Sequence, residues 1–198
     1  MENTSRLAIV LNGPPRAGKD TAIEILADVF SDADVYQFFR PIKELLHQEL
    51  GLAVPYDFYE DAKDMPLPEF GGMTPRRAYI DKGDRMQAEH GHSILTDTYF
   101  AAIASSNAPI LVTTCGMDSE ALEIAGIFGV ENTLVLRIHR DGCDFSQDSR
   151  SWVHSDQLTI RDVRNVHGRQ REYQSEVAAV CRAWVEAARL SEQRVAAA

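Results

Sequence analysis

Five short segments along the chain predict β-strands, and those at residues 7–11 and 109–114 are predicted to be buried. The run at residues 7–11 is the clearest, because five consecutive apolar residues that end close to a glycine, Gly13, are typical of a strand covered on both faces. The other four segments are equally short and alternate with stretches whose apolar residues have helical spacing. The predicted strands span residues 7–11, 35–39, 109–114, 133–138 and 158–163.

Between these strands, apolar residues recur every three or four positions, which is the spacing of one helix face. Pro41 is predicted to lie in a first turn with Gly51 as the stop, and Thr74 is a predicted N-cap before Pro75. Asp118 is the predicted N-cap of a later helix. The predicted helices cover residues 17–30, 41–50, 74–88, 92–105, 119–128 and 169–190, and residues 191–198 are expected to fray.

The alternation of strands and helices predicts an α/β fold with a parallel five-stranded sheet flanked by helices. A length of 198 residues fits a single domain. Residues 52–72 form a long segment rich in proline and glycine, which is typical of a functional or mobile loop. Tyr173, Val177, Val180 and Trp184 share one face of the last helix, and this stripe predicts core packing. In such sheets, ligands bind at the carboxyl ends of the strands.

Composition and charge narrow the function classes. Hydrophobic residues are 44% and charged residues 25%, as in ordinary globular proteins, and no apolar run is long enough to span a bilayer. The polar first residues do not resemble a signal or transit peptide. Cys115, Cys143 and Cys181 are odd in number and far apart, so we expect reduced thiols in the cytoplasm. A net charge of −10 disfavours non-specific DNA binding but leaves a local basic groove possible.

The segment with the clearest chemistry directly follows the first predicted strand. It fits the pattern G-x-x-x-x-G-K, in which backbone N–H groups surround phosphate oxygens, the following helix adds its positive end, and the lysine reaches the β and γ phosphates. We therefore predict an ATP site with Lys19 as a catalytic residue. The predicted ATP-binding residues are Gly13, Pro14, Pro15, Arg16, Ala17, Gly18, Lys19, Asp20 and Thr21.

Asp20 stands where this pattern usually has a hydroxyl residue that binds Mg²⁺. Its carboxylate can bind the metal, accept a proton from an attacking hydroxyl, or cap the helix while Thr21 serves the metal. The sequence leaves these three roles open. Asp20 and Thr21 are the predicted Mg²⁺ ligands.

With these motifs in their order, the chain resembles the phage-type P-loop deoxynucleotide kinases. The resemblance rests on Gly18-Lys19-Asp20-Thr21, on Thr74-Pro75-Arg76, and on Asn165 with Gly168 before a final helix, and it covers residues 7–188. The group includes deoxynucleoside monophosphate kinases and kinases of 5-hydroxymethyluracil in DNA. It implies a P-loop kinase fold in one domain, with an acceptor-binding insertion at about 52–106 and a small mobile lid at about 140–156. It also implies that Asn165 and Gly168 lie on the adenine side.

Arginines supply the remaining candidate site residues, because phosphoryl transfer concentrates negative charge. Arg76 begins the helix that the resemblance assigns to the acceptor and is also a candidate catalytic residue. Trp152 and His154 in the predicted lid can stack on a base. Arg40, Arg76, Arg77 and Arg85 are candidates for acceptor binding, and Arg140 and Arg150 are candidates in the lid.

The sequence therefore predicts an ATP- and Mg²⁺-dependent phosphotransferase. Residues 113–120 lack the Asp-x-Arg segment of the monophosphate kinases, and Asp20 can accept a hydroxyl proton. Both features favour the hydroxymethyl group of 5-hydroxymethyluracil in DNA as the acceptor, within thymidine hypermodification. A deoxynucleoside monophosphate is the alternative acceptor, and a non-catalytic nucleotide-binding switch is the alternative of another class. We expect no membrane partner and a cytoplasmic protein, in the host cytoplasm if a phage encodes it; the oligomeric state stays open.

Overall fold

The computed structural model describes residues 6–91, 93–146, 148 and 150–196. Five strands form one sheet in which every pair of neighbours is parallel: β1 (Leu7–Asn12), β2 (Ala33–Tyr36), β3 (Ile110–Thr114), β4 (Thr133–His139) and β5 (Thr159–Arg164). The strand order is β2-β3-β1-β4-β5. The predicted α/β class with a parallel five-stranded sheet is thus confirmed.

The centre of the sheet follows from the apolar content of β1. All six of its residues are buried, and it pairs with β3 through Ile9 and Val112 and with β4 through Val10 and Val135. The edge strand β5 exposes Arg161 and Asp162 and buries Val163. A strand hydrogen-bonded on both sides and covered on both faces favours apolar side chains, so the most apolar run lies in the middle; the one polar residue of β1, Asn12, is hydrogen-bonded.

Three helices accompany this sheet: α1 (Lys19–Val29), α5 (Asp118–Phe128) and α6 (Gln170–Ala196). The first unit of the chain consists of residues up to Tyr36 and from Ser106 onward, and its core is formed by the sheet with helix residues such as Leu26. The predicted stripe of α6 does pack there: Tyr173 and Val177 are buried, with Val180 and Trp184 against them.

The second unit, Gln37–Ser105, is helical. It contains α2 (Arg40–Leu50), α3 (Pro75–His90) and α4 (Ile94–Ser105), and two short 3-10 helices at Tyr56–Tyr59 and Pro68–Phe70 lie within the predicted long loop. Its core includes an aromatic cluster around the buried His47, whose Nε2 lies 2.9 Å from the hydroxyl of Tyr79. Thr74 caps α3 as predicted, accepting a hydrogen bond from the Arg77 N–H at 3.2 Å.

Three local predictions differ from the structure. The second strand ends at Tyr36 instead of residue 39, because the chain turns at Phe38 and Phe39 to enter α2. Helix α6 continues to Ala196, so the predicted fraying at 191 is wrong for the described residues. The N-cap of α5 is Met117, and Asp118 is the first helical residue; its carboxylate binds backbone elsewhere. None of the helices in the described residues has the length and hydrophobicity of a membrane span.

Candidate functional site

The predicted phosphate loop (residues 13–18) joins β1 to α1 at the carboxyl edge of the sheet. Gly18 has φ +112° and ψ +24°, a left-handed conformation that a side chain disfavours, and it serves as the N-cap of α1. Arg16 also has a positive φ of 65°. Left-handed residues of this kind occur in the concave loops whose backbone N–H groups bind anions.

Lys19, the first residue of α1, reaches back across this loop. Its Nζ donates hydrogen bonds to the carbonyl oxygens of Gly13 at 2.6 Å and Pro14 at 2.9 Å. Burial lowers the pKa of Lys19, and the positive charge of Arg150 lowers it further. The charges of Asp20 and Asp148 act on the Lys19 pKa in the opposite direction, and the ammonium is held at the loop by the two backbone carbonyls.

Asp20 and Thr21 lie in the first turn of α1. Asp20 is exposed and Thr21 is half-buried. Gly18 is the N-cap of this helix, without a side-chain cap, so capping is not the role of Asp20. Among the described residues, no three His, Cys, Asp or Glu side chains gather to hold a metal ion. A carboxylate and a hydroxyl beside a phosphate site still fit Mg²⁺, which proteins commonly hold through one or two side-chain oxygens together with substrate phosphates.

Two side chains from the C-terminal part of the chain hold the phosphate loop. The Asn165 amide donates to the Ala17 carbonyl at 2.9 Å, and the Tyr173 hydroxyl donates to the Gly18 carbonyl at 2.9 Å. Burial raises the pKa of Tyr173, so its phenol stays a donor. The sequence predicted only core packing for Tyr173. Its second role was missed because no local signal marks a contact between residues 155 positions apart.

A cavity of about 420 Å³ adjoins the loop. Arg140 lines it and also donates to the Arg16 carbonyl at 3.3 Å, so this predicted lid arginine lies at the phosphate loop. Both predicted adenine-side residues line the same cavity. The lining residues are Thr21, Arg140, Asn165, Val166, His167, Gly168, Gln170 and Tyr173.

The predicted lid contains an anchored segment, residues 150–155. The buried Asn12 amide donates to the Ser151 carbonyl at 3.1 Å and accepts from the Val153 N–H at 3.1 Å. The Asp118 carboxylate accepts from the N–H groups of His154 at 2.8 Å and Ser155 at 2.9 Å. These contacts join the segment to the carboxyl end of β1 and to the start of α5. Sequence analysis assigned no role to Asn12, which directly follows the predicted strand 7–11.

Two predicted lid residues are already engaged within the protein. Arg150 forms an ion pair with Asp148, donating through Nε at 2.8 Å and through one Nη. This pairing lowers the pKa of Asp148 to about 2. Trp152 stacks on His139 with ring centroids 4.3 Å apart. One face of its indole is therefore covered.

The four predicted acceptor arginines lie in the second unit. Arg76 pairs with Asp64 through Nε at 2.6 Å and Nη at 3.2 Å, which lowers the pKa of that carboxyl and raises the pKa of Arg76. The other two ion-paired arginines bond within their own helices, Arg40 with Glu44 at 2.8 Å and Arg77 with Asp81 at 2.7 Å. Arg85 is exposed on α3.

The sequence matches no protein-family model, and no curated protein is significantly similar to it. A solved structure of a protein assigned as a kinase from Chloroflexus aurantiacus is 14% identical, with 90% of this chain and 98% of that chain covered and a TM-score of 0.48. A sugar kinase from Janibacter sp. HTCC2649 is 10% identical, with 91% and 95% covered and a TM-score of 0.42. TT1252 from Thermus thermophilus is 11% identical, with 89% and 97% covered and a TM-score of 0.41. Likenesses this distant do not bear on the reaction of this chain.

Proposed function

We propose that the protein is an ATP-dependent phosphotransferase. The observation that carries this proposal is the hydrogen bonding of the phosphate loop. The carbonyls of Gly13 and Pro14 accept from Lys19, and those of Arg16, Ala17 and Gly18 accept from Arg140, Asn165 and Tyr173. Five of the six carbonyls of the loop thus accept hydrogen bonds within the protein. Of its N–H groups, that of Ala17 donates to the Pro14 carbonyl at 3.3 Å, and we expect those of Arg16, Gly18 and Lys19 to bind an anion.

Phosphoryl transfer requires positioning and charge stabilisation more than covalent chemistry, and the residues at the loop supply both. Lys19 and the N-terminal end of α1 would hold the β and γ phosphates. Asp20 and Thr21 would hold Mg²⁺, which neutralises charge on the transferring group when bound. The cavity beside Asn165 is of the size that small-molecule sites have, and we assign it to the nucleoside of ATP.

Replacement of the loop lysine tests this proposal. Lys19→Ala should reduce turnover of Mg·ATP by ~10²–10³, which is the loss in kcat when a comparable charge-stabilising group is removed from an enzyme. Lys82→Ala is the control, because Lys82 pairs with Glu49 on the surface of the second unit. Turnover is measured as ADP formation, with thermal melting to confirm the fold. Retention of more than about a tenth of the wild-type rate by Lys19→Ala contradicts the proposal.

For the acceptor, we propose the hydroxymethyl group of 5-hydroxymethyluracil in DNA. A hydroxyl must lose its proton as it attacks phosphorus, and Asp20 is an exposed carboxylate one residue from Lys19. Asp20→Asn should lower turnover by ~10²–10⁴ if this carboxylate is the base. Asp20→Ser restores the common metal-binding hydroxyl and should remain slow at saturating Mg²⁺. If Asp20→Ser is fully active on this acceptor, Asp20 is not the base, and the main support for the DNA acceptor is lost.

One observation favours a small acceptor, a free deoxynucleoside monophosphate. The second unit has seven Lys and Arg against eleven Asp and Glu. In the structure as described, all of these cations except Arg85 form ion pairs with carboxylates of the same unit. A surface that follows a DNA backbone normally presents cations to the phosphates. A monophosphate oxygen is already ionised and requires no base, so this alternative predicts that Asp20→Asn keeps its activity once Mg²⁺ is saturating.

A further inference from the structure

Arg150 passes directly over Gly116, between β3 and α5. A Cβ atom at position 116 would lie 2.6 Å from Cγ and 2.8 Å from Cδ of Arg150. Contacts this short do not occur between real side chains. The arginine can take its present path only because residue 116 is a glycine.

The backbone that follows Arg150 is fixed by hydrogen bonds to residues 116 and 118. The Ser151 N–H donates to the Gly116 carbonyl at 2.7 Å. Farther along the anchored segment, the Asp118 carboxylate accepts from the N–H groups of His154 and Ser155. The path of the Arg150 side chain therefore depends on Gly116 and Asp118, which lie just before and at the start of α5, as well as on the ion pair with Asp148.

This position brings a second positive charge to the phosphate loop. The carbonyl of Ser151, the residue after Arg150, accepts from the Asn12 amide, and Asn12 directly precedes Gly13, whose carbonyl accepts from Lys19. Asp148 accepts from Nε and one Nη of Arg150, whereas a guanidinium has five N–H donors. An anion with several charges, bound at the loop, would accept the remaining donors.

We infer that Gly116 and Asp118 are positioning residues, which hold Arg150 beside Lys19 as a second cation for the terminal phosphates of the donor nucleotide. This inference rests on the proposed function for its ligand. It does not rest on the identity of the acceptor. Gly116 gives the side chain its path, and Asp118 fixes the segment from which it extends.

Gly116→Ala is the primary test, with Gly126→Ala as the matched control. Gly126 is exposed on α5, and an added Cβ there would meet nothing within 4 Å. Gly116→Ala should weaken binding of inorganic tripolyphosphate, measured by calorimetry, and lower kcat/KM for Mg·ATP, each by ~10-fold, since misplacement of a catalytic group by ~1 Å can cost up to 10². In an Arg150→Ala background, the same change should alter either quantity by less than ~2-fold, because its effect acts through Arg150.

Asp118 provides a second test that does not depend on the folding of Gly116→Ala. Asp118→Ala removes the acceptor of both backbone N–H groups and should weaken tripolyphosphate binding. Asp118→Asn keeps an Oδ1 acceptor and should restore it. Thermal midpoints are measured for every variant, because a loss of affinity that only reflects lower stability would follow the thermal midpoint.

The outcomes separate this inference from the proposed function. If wild-type protein binds tripolyphosphate but never turns over Mg·ATP, the proposed function fails and the binding measurements still test the positioning residues. If wild-type protein is active and Gly116→Ala matches Gly126→Ala in both readouts, the inference is wrong. It is also wrong if Gly116→Ala and Arg150→Ala reduce affinity additively, or if Asp118→Ala binds tripolyphosphate as tightly as Asp118→Asn.

Discussion

The N-cap of α1 offers a perturbation whose size can be worked out from the structure. Gly18→Ala places a Cβ on a residue with φ +112°, which costs about 1–2 kcal/mol in a left-handed conformation. The same Cβ would lie 2.4 Å from the Asn165 Nδ2. Asn165 must then move and lose its hydrogen bond to Ala17, worth a further ~0.5–1.5 kcal/mol. We expect a total loss of about 1.5–3.5 kcal/mol in the free energy of unfolding.

Urea denaturation of matched variants separates these two contributions. Gly142→Ala is the control, because Gly142 has φ +77° and nothing within 4 Å of an added Cβ, so it reports the conformational cost alone. In an Asn165→Ala background, Gly18→Ala should cost no more than Gly142→Ala does. If the effects of Gly18→Ala and Asn165→Ala add within ~0.5 kcal/mol, Asn165 does not determine the space beside the loop, and the reasoning is refuted.

Three further predictions test other contacts. Tyr173→Phe should lower the free energy of unfolding by about 0.5–1.5 kcal/mol in urea, because the part-buried Gly18 carbonyl loses the phenol as a donor but keeps the Ala22 N–H, and a variant as stable as wild type would contradict this contribution. Asp148→Asn removes the ion pair with Arg150; because the pKa of Asp148 is lowered from 3.8 to about 2, the pair stabilises the fold above about pH 4 and this contribution is lost towards pH 2. Wild type and Asp148→Asn should therefore converge in stability as the pH falls through this window, and a constant difference would contradict the pairing. Arg76→Ala should raise the acceptor KM by ~10-fold or more while leaving the ATP KM unchanged, with Lys82→Ala as the control; a change confined to the ATP KM would assign Arg76 to the donor.

The sequence allowed prediction of those features that depend on neighbouring residues. The apolar run of β1, the glycines of the phosphate loop and the cap at Thr74 are local patterns, and each predicted element appears within a few residues of its expected place. The end of β2 could not be read in the same way. Phe38 and Phe39 are typical strand residues, but they pack in the helical unit, against Tyr99 and Gly83 respectively.

The contacts that hold the site depend on residues far apart in the sequence. Asn12 contacts Val153, 141 positions away, and Asn165 contacts Ala17, 148 positions away. A buried asparagine at the end of an apolar strand has no periodic signature. Asp118 shows the opposite error, because an acidic residue before a helix reads as a cap although its carboxylate binds the anchored segment. Such roles follow only from the three-dimensional arrangement of the strand ends.

The central claim is transfer of the γ-phosphate to an acceptor, and the most direct measurement follows that phosphate. Protein, Mg²⁺ and ATP labelled at the γ position are incubated with duplex DNA containing 5-hydroxymethyluracil, with ordinary duplex DNA, and with each free deoxynucleoside monophosphate. We expect label on the 5-hydroxymethyluracil duplex, none on ordinary duplex, and none with Lys19→Ala. Label on a monophosphate alone would support phosphotransferase activity but contradict the proposed DNA acceptor. Slow release of inorganic phosphate that no acceptor stimulates would contradict the phosphotransferase and indicate a nucleotide-binding switch.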